Sequence, residues 1–135
     1  MIALDGPHAR LLRAASFARE NAWPPYSGFK VGAALEDASG TIHTGCNVEN
    51  ASYGLTVCAE RVAMWKAISE GVRAFHRIAI VTASPALTTP CGACRQLLWE
   101  FCGNIEIILG NLEGDVKLLR VASLLPDPFD DKAFR

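Results

Sequence analysis

The sequence lacks the features that point to a nucleic-acid or membrane partner. Its 13 Lys and Arg residues nearly balance 14 Asp and Glu residues, so the formal net charge is −1. Such a balance argues against an extended basic nucleic-acid-binding surface. No apolar run approaches the ~18 consecutive residues of a membrane-spanning helix. The chain also starts without the basic and apolar regions of a signal peptide. From these absences together, we expect a cytoplasmic protein that binds neither nucleic acid nor membranes.

The chain has 135 residues, of which 50% are hydrophobic and 20% charged. This length and composition predict a single folded domain, residues 1–135, with an ordinary hydrophobic core. Five cysteines are present, at positions 46, 58, 91, 94 and 102. An odd number of cysteines in an intracellular protein argues against a disulfide framework and favours metal binding or catalysis.

Hydrophobic patterning and turn residues predict the element order αββαβαββ. The first helix begins near Asp5 and Pro7, the second covers 58–70, and the third begins with Thr89 and Pro90 and ends at Gly103. The predicted strands are residues 29–35, 41–47, 77–83, 105–109 and 115–120, and the tail, residues 124–135, is predicted to be irregular. This order predicts an α/β fold with helices covering a sheet.

Three cysteines lie where the second and third helices are predicted to begin. Cys58 opens one helix, and Cys91 and Cys94 are three residues apart in the first turns of the other. The positive end of a helix dipole favours the thiolate form, which binds metals. Three protein ligands with a fourth position open are typical of catalytic zinc. Arg61 is placed to draw negative charge from the thiolates.

Other interpretations of these cysteines remain open. A Cys-x-x-Cys pair is also found in redox proteins, but such a pair requires neither a third cysteine nor an adjacent glutamate. A structural zinc site needs a fourth ligand, which by count alone could be Cys46, Cys102, His43 or His76. No second Cys-x-x-Cys accompanies the first, and we favour catalytic zinc.

Glu60 is a candidate general base only under a geometric condition. Residues two apart on a regular helix point in roughly opposite directions. Cys58 and Glu60 can serve one site only if Cys58 caps the helix, so we predict that the helix begins at Cys58 or Ala59. The alternative is that Glu60 is a first-turn acid that stabilises the helix dipole. Beside three zinc ligands, the general base is the preferred role.

Four segments together, in their order and spacing, resemble the cytidine deaminases. They are residues 26–35 (YSGFKVGAAL), 45–51 (GCNVENA), 58–61 (CAER) and 90–96 (PCGACRQ). The resemblance is to the small homotetrameric type with a three-cysteine zinc site, and it extends from the first helix to Phe129. It implies a three-layer α/β/α fold with a mixed five-stranded sheet.

The resemblance also implies a role for each site residue. Cys58, Cys91 and Cys94 would bind one zinc ion per chain, and Glu60 would move protons as water attacks C4 of cytosine. Seven residues would contact the nucleoside: Phe29, Asn47, Glu49, Ala51, Tyr53, Ala59 and Phe129. Of these, Asn47 and Glu49 would bind a ribose hydroxyl, Phe29 and the Ala59 backbone would meet the base, and Tyr53 and Phe129 would come from neighbouring subunits.

The implied activity is hydrolytic deamination of cytidine and deoxycytidine to uridine and deoxyuridine, in pyrimidine salvage. The nearest alternative is deamination of another aminopyrimidine, such as blasticidin S. A nucleic-acid-editing deaminase would need a basic groove, which the net charge of −1 disfavours. A structural zinc module for protein interaction is the non-enzymatic alternative.

Overall fold

The computed structural model describes residues 6–134, and Asp5, part of the predicted first helix start, lies outside them. The helices and strands are α1 (Gly6–Arg19), β1 (Val31–Asp37), β2 (Ile42–Cys46), α2 (Ala59–Ser69), β3 (Phe75–Thr82), α3 (Gly92–Cys102), β4 (Glu106–Asn111), β5 (Val116–Arg120) and α4 (Val121–Leu124). Short 3₁₀ turns cover Tyr53–Leu55 and Asp131–Phe134. The predicted order αββαβαββ is confirmed for the first eight elements.

The five strands form one mixed sheet in the order β2-β1-β3-β4-β5. Strand β1 pairs antiparallel with both β2 and β3, whereas β3 and β4 are parallel. Since β2 and β3 both run opposite to β1, they run in the same direction. Their carboxyl ends therefore lie at the same edge of the sheet, and α2 and α3 follow from that edge.

Helices cover both faces of the sheet. On one face, Leu11 and Ala15 of α1 pack with Ala34, Ala79, Val81 and Ile108. On the other face, residues of α2 and α3, including Ala63, Met64 and Leu98, pack with Leu35, Ile78, Ile80 and Ile107. Successive strand residues thus face opposite core clusters. The α/β class and the mixed five-stranded sheet between helical layers are confirmed, and within residues 6–134 no helix is long and apolar enough to cross a membrane.

Gly45 brings the start of α2 close to β2. A Cβ atom at this position would lie 2.5 Å from the Ala59 carbonyl oxygen and 2.6 Å from the Ala63 nitrogen. No side chain fits there without moving the helix backbone. The glycine therefore sets how closely Ala59 and its neighbours approach the end of β2, where the candidate site residues lie.

Two local predictions were wrong. Helix α3 is capped by Cys91, not by Thr89, because the Thr89 hydroxyl accepts a hydrogen bond from the Arg95 side chain instead. The tail from residue 124 is not wholly irregular, since a 3₁₀ turn covers Asp131–Phe134, and the short helix α4 directly before it was not predicted. A long-range pairing supports α4: the Val121 amide donates to the Ile105 carbonyl.

Candidate active site

The sulfur atoms of Cys58, Cys91 and Cys94 all lie within 4.8 Å of one another. Cys58 follows the loop after β2, and the other two follow the loop after β3. The shared direction of β2 and β3 brings both loops to one edge of the sheet. The tertiary structure thus brings together three cysteines that are up to 36 positions apart in the chain.

Each of two cysteines is the N-cap of a helix. Cys58 precedes α2 with an extended backbone (φ −72°, ψ 154°), and Cys91 precedes α3 in the same way (φ −65°, ψ 165°). Neither side chain makes a capping hydrogen bond, so both sulfur atoms remain available as ligands. The prediction that α2 begins at Cys58 or Ala59 is confirmed.

The donor set fits zinc. Tetrahedral zinc with Zn–S bonds of ~2.3 Å separates its sulfur ligands by about 3.8 Å, which is compatible with three sulfur atoms that lie within 4.8 Å of one another. Among residues 6–134, no fourth His, Cys, Asp or Glu joins the group. His43 instead hydrogen-bonds Asp37, and His76 lies near Glu36, so neither histidine is a fourth ligand. Three ligands and an open position match catalytic rather than structural zinc.

The cysteine thiols and the Arg61 guanidinium shift one another's pKa values. The pKa of Cys58 is lowered to about 6, chiefly by a hydrogen bond from Cys94 and then by the Arg61 guanidinium, against the effect of burial. The same hydrogen bond, burial and the Glu60 charge raise the pKa of Cys94. Burial opposes the charge of Arg61, but the thiol of Cys94 and the charges of all three cysteines raise the Arg61 pKa overall. Arg61 therefore lies where it can balance thiolate charge.

Glu60 is buried at the start of α2, with 5% of its surface exposed. Burial is the main cause that raises its pKa to about 7, and the charge of Cys58 acts in the same direction. Because Cys58 is at the cap, Glu60 lines the same cavity as Cys58 and Cys91. Cys58 and Glu60 therefore meet the condition under which both can serve one site, namely that Cys58 caps the helix.

A cavity of about 310 Å³ opens beside Glu60. Its apolar lining comes from Phe29, Val31, Val57, Ala59 and Ile80. Its polar lining comes from Ser27, Asn47, Glu49, Thr56, Thr88 and Thr89. Cys58 and Cys91 complete the wall, and none of the described lining residues is Lys or Arg. Such a cavity can take an aromatic ring against its apolar side and hydroxyl groups against its polar side.

The Asn47 side chain makes two hydrogen bonds to the backbone on either side of Lys30, in the segment that carries Phe29. Its Oδ1 accepts from the Val31 amide at 2.8 Å, and its Nδ2 donates to the Phe29 carbonyl at 2.8 Å. An amide nitrogen has two hydrogens and an amide oxygen has two lone pairs, so one of each remains for a ligand. The structure therefore gives Asn47 a positioning task that the sequence did not reveal.

Glu49 is similarly bound to residues 26–27. Its Oε1 accepts from the amides of Tyr26 (3.0 Å) and Ser27 (2.9 Å), and its Oε2 accepts from the Ser27 hydroxyl. The same hydroxyl accepts from the Phe29 amide at 3.0 Å. The Ser27 hydroxyl is the first cause that lowers the pKa of Glu49. Ser27, which sequence reasoning passed over, thus connects Glu49 to the segment bearing Phe29.

Three other predicted substrate contacts are exposed in the single chain. Ala51 lies on the surface, Tyr53 is 75% exposed, and Phe129 is 64% exposed. Tyr53 packs edge-on against Tyr26, and Phe129 packs edge-on against Phe134. None of the three lines the 310 Å³ cavity.

Comparison with known proteins identifies the family. Residues 6–110 match the family model described as the cytidine and deoxycytidylate deaminase zinc-binding region. The chain belongs to this family. The predicted zinc cofactor is confirmed by this match together with the cysteine cluster.

Curated relatives of the deaminase family agree over most of the chain. Cytidine deaminase from Sporosarcina psychrophila is 50% identical over 121 residues, which cover 89% of each protein. Cytidine deaminase from Halalkalibacterium halodurans is 50% identical over 120 residues, which cover 88% of this chain and 91% of the relative.

Solved structures of the family share the fold. The crystal structure of cytidine deaminase from Burkholderia pseudomallei has a TM-score of 0.87 and 49% identity, with 90% of this chain and 98% of that chain covered. The crystal structure of cytidine deaminase from Mycobacterium tuberculosis has a TM-score of 0.79 and 38% identity, with 93% and 98% covered.

Proposed function

We propose that this deaminase converts cytidine and deoxycytidine, with water, to uridine and deoxyuridine plus ammonia. The observation that carries the proposal is a buried Glu60 beside three converging cysteines, in a cavity with one apolar and one polar side. The proposal includes the cytoplasmic location and the role in pyrimidine salvage expected from the sequence.

Cys58, Cys91 and Cys94 would hold the zinc ion. Bound there, zinc supplies a Lewis acid that makes water more acidic and thus a nucleophile near neutral pH. Glu60 accepts one proton of the attacking water and delivers it to N3 of the ring, and it then transfers the proton of the new C4 hydroxyl to the amino group, which leaves as ammonia. Burial of Glu60 keeps bulk water from competing for these protons.

The lining favours a nucleoside over a nucleotide. A 5′-phosphate is commonly bound by Arg or Lys side chains. The described lining of the cavity has neither Lys nor Arg, and the Glu49 carboxylate lies at its polar side. We therefore expect a phosphate to be disfavoured.

The test is an ultraviolet assay of the zinc-loaded protein, which follows the change from a cytosine to a uracil chromophore. The substrates are cytidine, deoxycytidine, CMP, dCMP, cytosine and blasticidin S. We expect rapid turnover of the two nucleosides alone. CMP or dCMP turned over as efficiently as cytidine would contradict the nucleoside assignment, and no turnover of any substrate would favour a structural zinc module.

The ligand assignment is tested by metal analysis of the single variants Cys58→Ser, Cys91→Ser and Cys94→Ser. Each is expected to lose zinc and activity. Cys46→Ser and Cys102→Ser are matched controls, because both thiols lie outside the cluster, and both variants should keep one zinc per chain. Normal zinc and activity in any of the first three would remove that cysteine from the ligand set.

We assign Asn47 and Glu49 to the ribose, through the hydrogen-bonding capacity that their protein contacts leave free. Glu49→Ala should raise KM by roughly 10- to 100-fold, since a hydrogen bond to a charged group contributes about 1.5–3 kcal/mol. Ser27→Ala is the control, because it disturbs the same segment but keeps the carboxylate. An equal KM increase in both variants would assign the loss to the segment's position rather than to a ribose contact.

We further propose a homotetramer with shared sites, in which Tyr53 and Phe129 reach a neighbour's cavity. Large exposed aromatic side chains support an interface, as does their absence from the cavity of their own described chain. Mixing inactive Glu60→Gln and Phe129→Ala proteins, after dissociation and reassembly, should restore activity at hybrid sites. No recovery in verified hybrids, or a fully active monomer, would overturn this assembly.

A further inference from the structure

Arg95 lies one residue after Cys94 and reaches three separate acceptors. Its Nε donates to the Pro90 carbonyl at 2.7 Å, its Nη2 donates to the Thr89 hydroxyl at 3.0 Å, and its Nη1 donates to the Leu124 carbonyl at 3.0 Å. One partly buried guanidinium thus joins the loop before Cys91 to the C-terminal helix α4.

Helix stability does not explain an arginine at this position. Arg95 follows the Cys91 cap by four residues, near the positive end of the α3 dipole, where a cation is disfavoured. The three acceptors explain it, because the planar guanidinium presents donors in several fixed directions, whereas a lysine ammonium acts as one compact charge.

The two tethered segments both belong to the candidate site. Thr88 and Thr89 line the cavity, and Pro90 directly precedes Cys91. On the other side, α4 leads to Phe129, whose carbonyl accepts a hydrogen bond from the Gln96 side chain at 2.6 Å. Two consecutive residues of α3 therefore hold the loop and the tail.

We propose that Arg95 is a positioning residue that couples attachment of the C-terminal segment (121–129) to the placement of the metal-ligand loop (88–91). The proposal rests on the proposed function, in which Cys91 is a zinc ligand and Phe129 completes a substrate pocket. Loss of the guanidinium weakens the attachment of both segments together, because the same group binds both.

The experiment compares Arg95→Gln with Arg95→Lys and with the control Arg73→Gln. Arg73 also donates two hydrogen bonds to backbone carbonyls, those of Ile68 and Val72, but at the far end of α2. Two quantities are measured on the zinc-loaded protein: the rate of zinc release to a chelating dye, and hydrogen exchange of the Leu125 amide, which donates to the Val121 carbonyl.

Arg95→Gln should accelerate both zinc release and Leu125 exchange by about tenfold or more, as expected for lost charged hydrogen bonds. Arg95→Lys should give an intermediate result, and Arg73→Gln should leave both rates unchanged. If Arg95→Gln does not fold, Thr89→Val removes one acceptor and should accelerate both rates by a smaller factor.

Wild-type rates in folded Arg95→Gln would overturn the proposal, as would acceleration of only one of the two rates. If only Thr89→Val folds, wild-type rates of zinc release and of Leu125 exchange in that variant would also overturn the proposal. Failure of the proposed function is a separate result: the zinc-loaded wild-type protein would then turn over none of the substrates, or Cys91→Ser would retain its zinc, whatever Arg95→Gln does.

Discussion

Two buried glutamates lie in contrasting surroundings. Glu36 is 3% exposed near the end of β1, and its carboxylate accepts hydrogen bonds from Arg77 at 2.5 Å and Arg10 at 3.4 Å. Glu60 is 5% exposed, and within residues 6–134 no ion pair to its carboxylate is found. Its described neighbours are the thiols of Cys58 and Cys94 and the nearby Arg61 charge.

The difference shows how burial can serve either structure or chemistry. A buried carboxylate that is hydrogen-bonded to arginines links the elements that carry its partners. A buried carboxylate without such a pair has its pKa raised, here to about 7, and can exchange a proton near neutral pH. The Glu36 end of the sheet is therefore structural, and the Glu60 end is the reactive one.

The largest effect is expected from Glu60→Gln. The substitution keeps the shape but removes the proton acceptor, so kcat/KM should fall by roughly 10²–10⁴-fold. Zinc content and the free energy of unfolding should remain close to wild type, because a neutral amide is no harder to bury than the acid. Exposed Glu70 at the end of α2 gives the control Glu70→Gln. A Glu60→Gln enzyme within tenfold of wild type would mean that another group moves the protons.

Glu36→Gln should show the opposite behaviour. Arg10 and Arg77 would lose a charged acceptor, and the Arg77 side chain is only 25% exposed. The free energy of unfolding should therefore fall by about 1–3 kcal/mol. Urea unfolding at one protein concentration measures this loss, with Glu113→Gln on the surface as the control. Turnover by the folded enzyme should stay within about twofold of wild type. A large loss of kcat with normal stability would reverse the roles assigned to the two ends.

The structural role assigned to the Glu36 end of the sheet can also be tested by the pH dependence of stability, through the neighbouring carboxylate of Asp37. Its carboxylate accepts hydrogen bonds from the Ser39 hydroxyl (2.6 Å), the amides of Ser39 and Thr41, and the His43 ring. These bonds, the Ser39 hydroxyl first, hold the pKa of Asp37 well below its ordinary value. Its stabilising contribution is therefore complete above the unfolded pKa of ~3.9 and is lost as pH falls through the lower folded value.

Asp37→Asn is accordingly expected to destabilise the protein at pH 7 by less than Glu36→Gln, since the described hydrogen bonds to Asp37 come from Ser39, Thr41 and His43 and not from arginines. The difference in unfolding free energy from wild type should shrink below about pH 4, where the unfolded carboxyl binds a proton. Unfolding curves at several pH values between 7 and 3 measure it. A difference that stays constant over this range would show that the Asp37 charge does not contribute.

Much of this protein was determined by local signals in the sequence. The apolar run at residues 77–83 predicted a central strand, since a run without alternation needs burial on both faces, and β3 is buried in this way. The spacing of Cys58 and Glu60 predicted that α2 begins at Cys58 or Ala59, because a cap residue is the position from which a cysteine and a glutamate two residues later can meet. Those predictions depend on covalent spacing and helix geometry, which the chain carries with it.

The tertiary structure alone decided which side chains form hydrogen bonds between distant segments of the chain. Arg95 bonds to Leu124, 29 positions away, and Asn47 holds Val31, 16 positions away, while the Thr89 hydroxyl accepts from Arg95 rather than capping α3. The contrast between Glu36 and Glu60 likewise depends on Arg77, which lies 41 positions beyond Glu36. Local sequence cannot specify such partners, because they are brought within hydrogen-bonding distance only when the strands pair and the helices pack.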